Sequence, residues 1–240
     1  MKSVELVIPC YNEERVLAES VERLRAWCVT NLAAYRWRIV VADNASTDGT
    51  PAVAQRLADE NPGYVGYVRL EQKGRGRALK RAWLESGADA MCYMDVDLST
   101  DLAMIAPLLR AVLEEGYDIA YGSRLAKSAD IERSWKREIN SRGYITLIKA
   151  LFWTKFSDAQ CGFKAITRDA AQALLPHVRN SEWFFDTELL VLAEKNGFRL
   201  KEVPVRWTED PDTRVKFPQD IIKMAGEAVK LRLRGVKLPA

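Results

Sequence analysis

Short apolar runs alternate with helix-like segments along the first half of the chain. Residues 4–8 form the first run, and the segment after it repeats apolar residues at spacings of four, three and four: Leu17, Val21, Leu24 and Cys28. Such spacings place apolar side chains on one face of a helix, whereas short runs are typical of buried strands. The pattern continues with strands predicted at 37–42, 64–70, 90–94 and 119–121, and helices predicted from Thr50, over 77–86 and over 102–113.

The alternation predicts an α/β fold of three layers with a mostly parallel central sheet, because parallel strands are joined by right-handed crossovers through helices. Ligands of such sheets bind beyond the carboxyl ends of the strands. Polar clusters at 9–14, 43–50 and 95–101 each follow a predicted strand, so we expect them to meet at one edge. The second half predicts helices at about 138–155, 186–196 and 220–234, and strands at 163–166 and 199–205.

Composition supports a folded globular protein. The chain has 240 residues, of which 48% are apolar and 29% charged, and this excludes collagenous and largely disordered classes. Its four cysteines form no CxxC pair, so we expect reduced thiols in a cytoplasmic protein rather than a disulfide framework or a zinc site. The most apolar stretch, residues 144–153, is interrupted by Lys149 and is shorter than the roughly 20 residues that span a bilayer. We therefore expect a soluble or peripheral protein.

Positive charge is concentrated in two segments, although the net charge is only +3. Residues 124–155 hold eight Lys or Arg against three Asp or Glu, and residues 214–240 hold seven against two. This distribution fits an anionic partner such as phospholipid or phosphate, and it fits solvated helix faces equally well. The basic residues form no recognisable nucleic-acid motif, so we predict no nucleic-acid partner.

Two carboxylates one residue apart, Asp95 and Asp97, follow the predicted strand at residues 90–94. Mg²⁺ and Mn²⁺ prefer oxygen ligands and commonly join protein carboxylates to substrate phosphates. Taken alone, this Asp-Val-Asp motif fits a metal site or an ordinary solvated turn.

The neighbouring motifs favour the metal site. They are VIPCYNEE at 7–14, VADNASTDGT at 41–50, KGRGRA at 73–78, YGSR at 121–124, QCGFK at 160–164, WFFDTELL at 183–190 and EVPVRW at 202–207. In order and spacing these motifs resemble glycosyltransferase family 2 enzymes of the GT-A fold, the Rossmann-like fold of nucleotide-diphospho-sugar transferases, and within them the dolichyl-phosphate glucosyltransferase and mannose synthase branch. The resemblance covers roughly residues 4–215.

The resemblance implies a nucleotide-sugar donor site. Pro9, Tyr11 and Glu13 match positions that line the nucleotide pocket, and Asp43 matches the carboxylate on the base. Lys73 and Arg77 would lie near the base or the diphosphate.

The resemblance also implies a divalent cation and an acceptor phosphate. Asp95 would lie nearer the ribose and Asp97 on the metal, Mg²⁺ or Mn²⁺. Arg124 and Arg137 match positions that bind the acceptor phosphate in the polyprenyl-phosphate enzymes, a role that suits the planar guanidinium. Without the resemblance, Arg124 fits an ion pair at a strand end and Arg137 fits a solvated helix face.

Asp186 has two interpretations, because it opens a predicted helix. It fits a helix cap, or a carboxylate that faces the sugar and acts as base when the acceptor is a hydroxyl. An acceptor phosphate needs little or no base, since its second pKa lies near 6.

Two features depart from the family. The usual Asp-Asp-Gly-Ser of the second strand reads Asp43-Asn44-Ala45-Ser46, which leaves the base preference open. The frequent C-terminal membrane helices are missing, so we expect any membrane contact to be peripheral. The apolar and basic residues of 138–156 and 220–234 fit helices lying in a membrane surface or helices packed against the sheet.

We therefore predict one GT-A catalytic domain over residues 1–215, and a basic amphipathic helix and tail over 216–240 that meets the cytoplasmic membrane surface. The expected reaction is inverting, metal-dependent transfer of a hexose, glucose from UDP-glucose, to a dolichyl-type polyprenyl phosphate. The alternatives are a GDP-mannose donor, a hydroxyl acceptor with Asp186 as base, and a non-catalytic module that binds a nucleotide sugar. The oligomeric state stays open.

Overall fold

The computed structural model describes residues 1–132, 135–208 and 219–238, without the side chains of residues 132, 135–137 and 219–220. Within these ranges the strands are β1 Ser3–Cys10, β2 Arg36–Asp43, β3 Val65–Arg69, β4 Ala90–Met94, β5 Ile119–Ser123, β6 Asp130–Glu132, β7 Phe163–Thr167, β8 Leu200–Pro204 and β9 Arg206–Thr208. The α-helices are α1 Leu17–Asn31, α2 Thr50–Glu60, α3 Arg75–Glu85, α4 Ile105–Leu113, α5 Trp135–Phe152, α6 Arg168–Leu174, α7 Phe185–Lys195 and α8 Gln219–Arg234.

Seven strands form the central sheet in the order β3-β2-β1-β4-β7-β5-β8. All neighbouring pairs are parallel except those made by β7, which runs antiparallel to β4 and β5. The predicted mostly parallel sheet is confirmed. Because helices cover both faces of the sheet, β4 at its centre is a continuous apolar run in which every residue is buried.

The helices form two outer layers around the sheet. One face of the sheet packs against α1, α2 and α4, and the other against α3 and α5–α8, each with its own apolar cluster. The predicted three-layer arrangement therefore holds. The sheet edge at the carboxyl ends of β1, β2 and β4 is the place where the predicted site residues should meet.

Several elements differ from the sequence expectations. The helix expected at 102–113 begins as a 3-10 turn, Leu102–Met104, that continues into α4. Helix α6 and the small parallel sheet of β6 and β9 were not predicted. Helix α5 ends at Phe152 rather than near residue 155, because Trp153 has a φ of +50°, which is incompatible with a continuing right-handed helix.

The C-terminal helix α8 packs against the domain. Met224, Ala228 and Leu231 are buried in the same apolar cluster as Tyr144 and Ile148 of α5. Both amphipathic segments therefore cover the core with one face, as one of the two interpretations expected. The predicted boundary between residues 215 and 216 lies outside the described residues. Among the described helices, none is both long and apolar enough to cross a membrane.

Candidate active site

The loops after β1 and β2 are joined by hydrogen bonds. The backbone N–H of Asn12 donates to Oγ of Ser46 at 2.9 Å, and that of Glu13 donates to Oγ1 of Thr50 at 2.7 Å. Pro9 is buried near the end of β1, just before this junction, and pairs with Ala42 of β2. Three predicted site positions, Pro9, Tyr11 and Glu13, therefore belong to one connected edge of the sheet.

Asp43 ends β2 and is fully buried. One carboxylate oxygen accepts the backbone N–H of Ser46 at 2.9 Å, and the other accepts the hydroxyl of Tyr67 at 3.1 Å. Burial, followed by the nearby Asp43 charge, raises the pKa of Tyr67 to about 12. These contacts show that Asp43 shapes the loop, while its contact with a nucleotide base stays a prediction.

Lys73 and Tyr11 face each other across the edge. The Lys73 ammonium lies 3.6 Å from the centre of the Tyr11 ring, a cation–π arrangement. Arg77 donates to the carbonyl of Lys73 at 2.5 Å. The N–H of Gly74 donates to the side-chain oxygen of Asn44, the residue that stands where the family usually has a second Asp. The basic loop is thereby attached to the loop after β2.

Asp95 and Asp97 lie in a tight turn directly after β4. The N–H of Leu98, which has a φ of +51°, donates to the carbonyl of Asp95 at 3.1 Å, and the N–H of Ser99 donates to Oδ1 of Asp97 at 2.9 Å. The Asp95 side chain is 43% exposed and Asp97 is exposed. The turn presents the carboxylates at the sheet edge, as the sequence predicts.

Arg75, the first residue of α3, joins this turn to α7. One amino group of its guanidinium lies 2.6 Å from Oδ1 of Asp95, and the other lies 2.8 Å from Oδ2 of Asp186. Sequence reasoning selected Lys73 and Arg77 from the same basic loop and missed Arg75. The available signal was its position between two glycines, just before the helix predicted over 77–86.

Asp186 is buried and enclosed by polar side chains. Its other oxygen accepts the hydroxyl of Tyr93 and lies 2.9 Å from the ammonium of Lys164, which is fully buried in β7. Burial raises the pKa of Asp186, but Lys164 and Arg75 together outweigh it, so the pKa is lowered. The N-cap position of α7 belongs to Phe184, and the Asp186 carboxylate bonds to side chains from three other elements rather than serving as a simple helix cap.

Arg124 forms a buried ion pair that the sequence did not predict in detail. Its guanidinium bonds both carboxylate oxygens of Asp158, at 2.9 and 3.2 Å, and lies 5.6 Å from the centre of the Trp207 ring. The N–H of Gln160 also donates to Asp158, at 2.9 Å. The acceptor role of Arg124 stays a prediction. Arg137 falls among the residues whose side chains lie outside the description, so its predicted role also stays open.

The carboxylates of Asp95 and Asp97 fit a divalent cation that a substrate also ligates. Among the described residues, no cluster of three or more His, Cys, Asp or Glu side chains has the arrangement of a metal site. Mg²⁺ commonly binds through one or two carboxylates together with substrate phosphates and water. Asp95 and Asp97, two solvent-accessible oxygen donors at the open end of the sheet, match the protein ligands that such a site needs, and their role as metal ligands stays a prediction.

Comparison with known proteins agrees with this arrangement. The sequence model described as Glycosyl transferase family 2 matches residues 5–175. The chain belongs to this glycosyl transferase family. The resemblance inferred from the sequence motifs is confirmed, and the family consists of transferase enzymes.

Curated relatives extend over nearly the whole chain. Glycosyltransferase AglD of Haloferax volcanii is 37% identical over 95% of this chain, which spans only 36% of that protein. Dolichyl-phosphate beta-glucosyltransferase ALG5C of Trichomonas vaginalis is 29% identical over 95% of this chain and 70% of its own length. The dolichyl-phosphate beta-glucosyltransferase of Saccharomyces cerevisiae is 27% identical over 96% of this chain and 74% of its own length.

Solved structures confirm the fold. Glucosyl-3-phosphoglycerate synthase from Mycobacterium tuberculosis, in complex with Mn²⁺, UDP-glucose and phosphoglyceric acid, matches with a TM-score of 0.71 and 17% identity. The match covers 100% of this chain and 81% of that one. The predicted GT-A fold is therefore confirmed.

Proposed function

We propose that this chain transfers glucose from UDP-glucose to a dolichyl-type polyprenyl phosphate, with inversion at the sugar carbon. The observation that carries the proposal is the meeting of a carboxylate turn, Asp95 and Asp97, with the guanidinium of Arg75 at the start of α3, at one edge of the sheet. Carboxylates suit a divalent cation and cationic side chains suit a diphosphate. Relatives named dolichyl-phosphate beta-glucosyltransferase support the choice of sugar and acceptor.

The surroundings of Asp186 favour a phosphate acceptor over a hydroxyl. A general base needs access to the acceptor and a pKa near the working pH. Asp186 is 3% exposed, its oxygens bond to Arg75, Lys164 and Tyr93, and its pKa is lowered. A phosphate monoester is already ionised near neutral pH, so it attacks without such a base.

The proposed roles follow from charge and position. Asp95 and Asp97 hold Mg²⁺ or Mn²⁺, which as a Lewis acid stabilises the charge that develops on the diphosphate. Tyr11 and Lys73 line the part of the site that receives the nucleotide. Pro9, Glu13, Asp43 and Arg77 line the same part. Arg124 and Arg137 orient the acceptor phosphate. Since the acceptor oxygen displaces the nucleotide in one in-line step, the sugar carbon inverts.

We place the membrane contact on the outward face of α8. Ile222, Val229 and Leu233 are exposed, and spacings of seven and four put them on one helical face, away from the buried Met224 and Leu231. The guanidinium of Arg232 lies 5.5 Å from the centre of the exposed Trp153 ring. Apolar and aromatic side chains beside cationic ones suit an anionic phospholipid surface, from which a lipid-linked acceptor would be taken.

A donor screen tests the reaction. Release of nucleotide is measured with UDP-glucose and with GDP-mannose, in the presence and absence of a short polyprenyl phosphate and of a chelator. We expect release from UDP-glucose that requires both the polyprenyl phosphate and the metal. A preference for GDP-mannose would show that UDP-glucose is not the donor. Transfer to a soluble hydroxyl acceptor would show that a polyprenyl phosphate is not the acceptor.

A pair of variants tests the metal assignment. Asp97→Ala should nearly abolish turnover, whereas Asp59→Ala on the exposed surface of α2 should not change it. A fully active Asp97→Ala protein would contradict the metal site. Binding of a nucleotide sugar without turnover of any donor would indicate a non-catalytic module.

A further inference from the structure

Four charged side chains form a continuous line from the core to the carboxylate turn. The ammonium of Lys164 lies 2.9 Å from Oδ1 of Asp186, and Oδ2 of Asp186 lies 2.8 Å from one amino group of Arg75. The second amino group of Arg75 lies 2.6 Å from Oδ1 of Asp95. The line starts at a fully buried lysine and ends at a carboxylate that is 43% exposed.

The inner end of this line is firmly held. Lys164 also donates to the backbone carbonyl of Cys161 at 2.6 Å and to that of Ala159 at 3.3 Å. Asp186 accepts a further hydrogen bond from the hydroxyl of Tyr93, which is fully buried. A buried carboxylate with this many partners has little freedom to turn, so it offers Arg75 a fixed point of attachment.

Arg75 is held by aromatic rings as well as by carboxylates. Its guanidinium carbon lies 5.1 Å from the centre of the Tyr93 ring and 5.3 Å from that of Trp183. A guanidinium presents planar, paired donors and readily binds both oxygens of one carboxylate. Here it is shared instead, because Asp186 takes one amino group and Asp95 takes the other.

We propose that Asp186 is a positioning residue that holds one amino group of Arg75, so that the guanidinium bonds one oxygen of Asp95 and leaves the other to the divalent cation. The inference rests on the proposed function, in which Asp95 and Asp97 hold that cation. It assigns to Asp186 a role in metal binding that acts through Arg75 and requires no proton transfer.

The substitution Asp186→Asn separates this role from that of a base. The amide keeps the size of the side chain but removes the charge that attracts Arg75, which can then turn to bind both oxygens of Asp95. Cation and guanidinium would compete for the same carboxylate. Changes in groups that orient metal ligands typically weaken metal binding by roughly 10–100-fold, and we expect an effect of that size.

The experiment is a titration with Mn²⁺ alone, with Mn²⁺ and UDP, and with Mn²⁺ and GDP, in which free Mn²⁺ is measured by electron paramagnetic resonance. Wild type and Asp186→Asn are compared with Glu188→Gln, which neutralises another buried, Arg-paired carboxylate of α7, whose partner is Arg234 of α8. We expect weaker Mn²⁺ binding in Asp186→Asn and wild-type binding in Glu188→Gln. Thermal unfolding of each variant establishes that it is folded.

A second background tests whether the effect passes through Arg75. In an Arg75→Gln protein, the further change Asp186→Asn should alter the Mn²⁺ dissociation constant by less than about threefold, because effects that share one route are not additive. Unchanged Mn²⁺ affinity in Asp186→Asn, or an equal loss in the two backgrounds, would overturn the proposal. If wild type bound no Mn²⁺ with either nucleotide, the proposed function would fall with it.

Discussion

Gly162 lies against Asp95 so closely that a β-carbon at position 162 would overlap the Oδ2 atom of the carboxylate. This contact gives the QCGFK motif a physical role beside Asp95, one of the two proposed metal ligands. The backbone of residue 162 forms a wall of the space that the carboxylate occupies, and only glycine leaves that space open.

We therefore expect Gly162→Ala to displace the Asp95 carboxylate and to weaken metal and donor binding, by roughly tenfold or more. The fold should persist, because the carboxylate can move without moving the backbone. The measurements are the KM for UDP-glucose, the Mn²⁺ dissociation constant and the unfolding temperature. Gly87→Ala is the matched control, since a β-carbon there meets no atom within 4 Å. Equal Mn²⁺ affinity in the two variants would show that the Gly162 contact does not matter.

The fold was accessible from the sequence because its signals are local. Apolar runs such as residues 90–94 identify strands, and the polar clusters that follow them meet wherever parallel strands end together. The sequence pattern did not show which basic residue of KGRGRA contacts the carboxylate turn. Which of Lys73, Arg75 and Arg77 faces Asp95 depends on how α3 and α7 pack, and no local pattern records it.

Lys164 is a second residue whose partner could not be predicted from the sequence. Its place in a predicted strand was clear, and a lysine within such a strand signals an unusual environment, because charged groups are seldom buried without a partner. The partner, Asp186, comes from a helix that begins 21 residues later in the chain. Pairings of this kind are set by tertiary packing and become visible only in the folded structure.

Ala45 has a φ of +59° at the position where the family usually carries glycine. The left-handed conformation costs an ordinary residue roughly 1–2 kcal/mol. Glycine removes this cost but loses more freedom on folding, by about 0.5–1 kcal/mol. We expect Ala45→Gly to increase the free energy of unfolding by about 0.5–1 kcal/mol, as measured by urea denaturation.

The control for this change is Ala126→Gly, in a turn after β5 where no positive φ occurs. At position 126 glycine only loses more conformational freedom on folding than alanine does, so the free energy of unfolding should fall by about 0.5–1 kcal/mol. The opposite signs of the two changes are the test. A loss of stability in Ala45→Gly would show that the left-handed conformation is not a strain that glycine relieves.

Arg124 is expected to affect both stability and acceptor binding. Its removal in Arg124→Ala leaves Asp158 buried without its cation, a change that typically costs about 3–5 kcal/mol. Burial raises the pKa of Asp158, but Arg124 outweighs it, and the pKa is lowered. Because this pKa is lowered in the folded protein, the ionised Asp158 contributes stability at neutral pH, and the contribution is lost as the pH falls below the usual aspartate value. The difference in stability between wild type and Arg124→Ala should therefore shrink in acid.

The double variant Arg124→Ala with Asp158→Asn separates the two roles. It removes the unpaired charge and should recover much of the lost stability. If Arg124 binds the acceptor phosphate, the KM for the polyprenyl phosphate stays high in the double variant while the KM for UDP-glucose stays near its wild-type value. Arg206→Ala, which changes an exposed arginine of β9, should lower stability by less than about 1 kcal/mol. If the double variant regained the wild-type KM for the polyprenyl phosphate together with its stability, a contact between Arg124 and the acceptor phosphate would be ruled out.

The outward stripe of α8, Ile222, Val229 and Leu233, makes a prediction about membrane binding. In cosedimentation with vesicles, we expect the wild-type chain to bind anionic phospholipid more tightly than zwitterionic phospholipid, and less tightly as salt is added, because screening weakens the attraction of the cationic residues. Ile222→Glu with Leu233→Glu should remove this binding, since carboxylates replace apolar contact and repel the anionic headgroups.

Val29→Glu provides the control for this stripe, because Val29 is an exposed apolar residue of α1, in the helix layer on the other face of the sheet. Its vesicle binding should match wild type. The two α8 positions face away from the core, so thermal unfolding should change little in either protein. Undiminished vesicle binding by the α8 variant would assign the exposed stripe to another partner, because an apolar face that inserts into a bilayer cannot tolerate carboxylates at both of its ends.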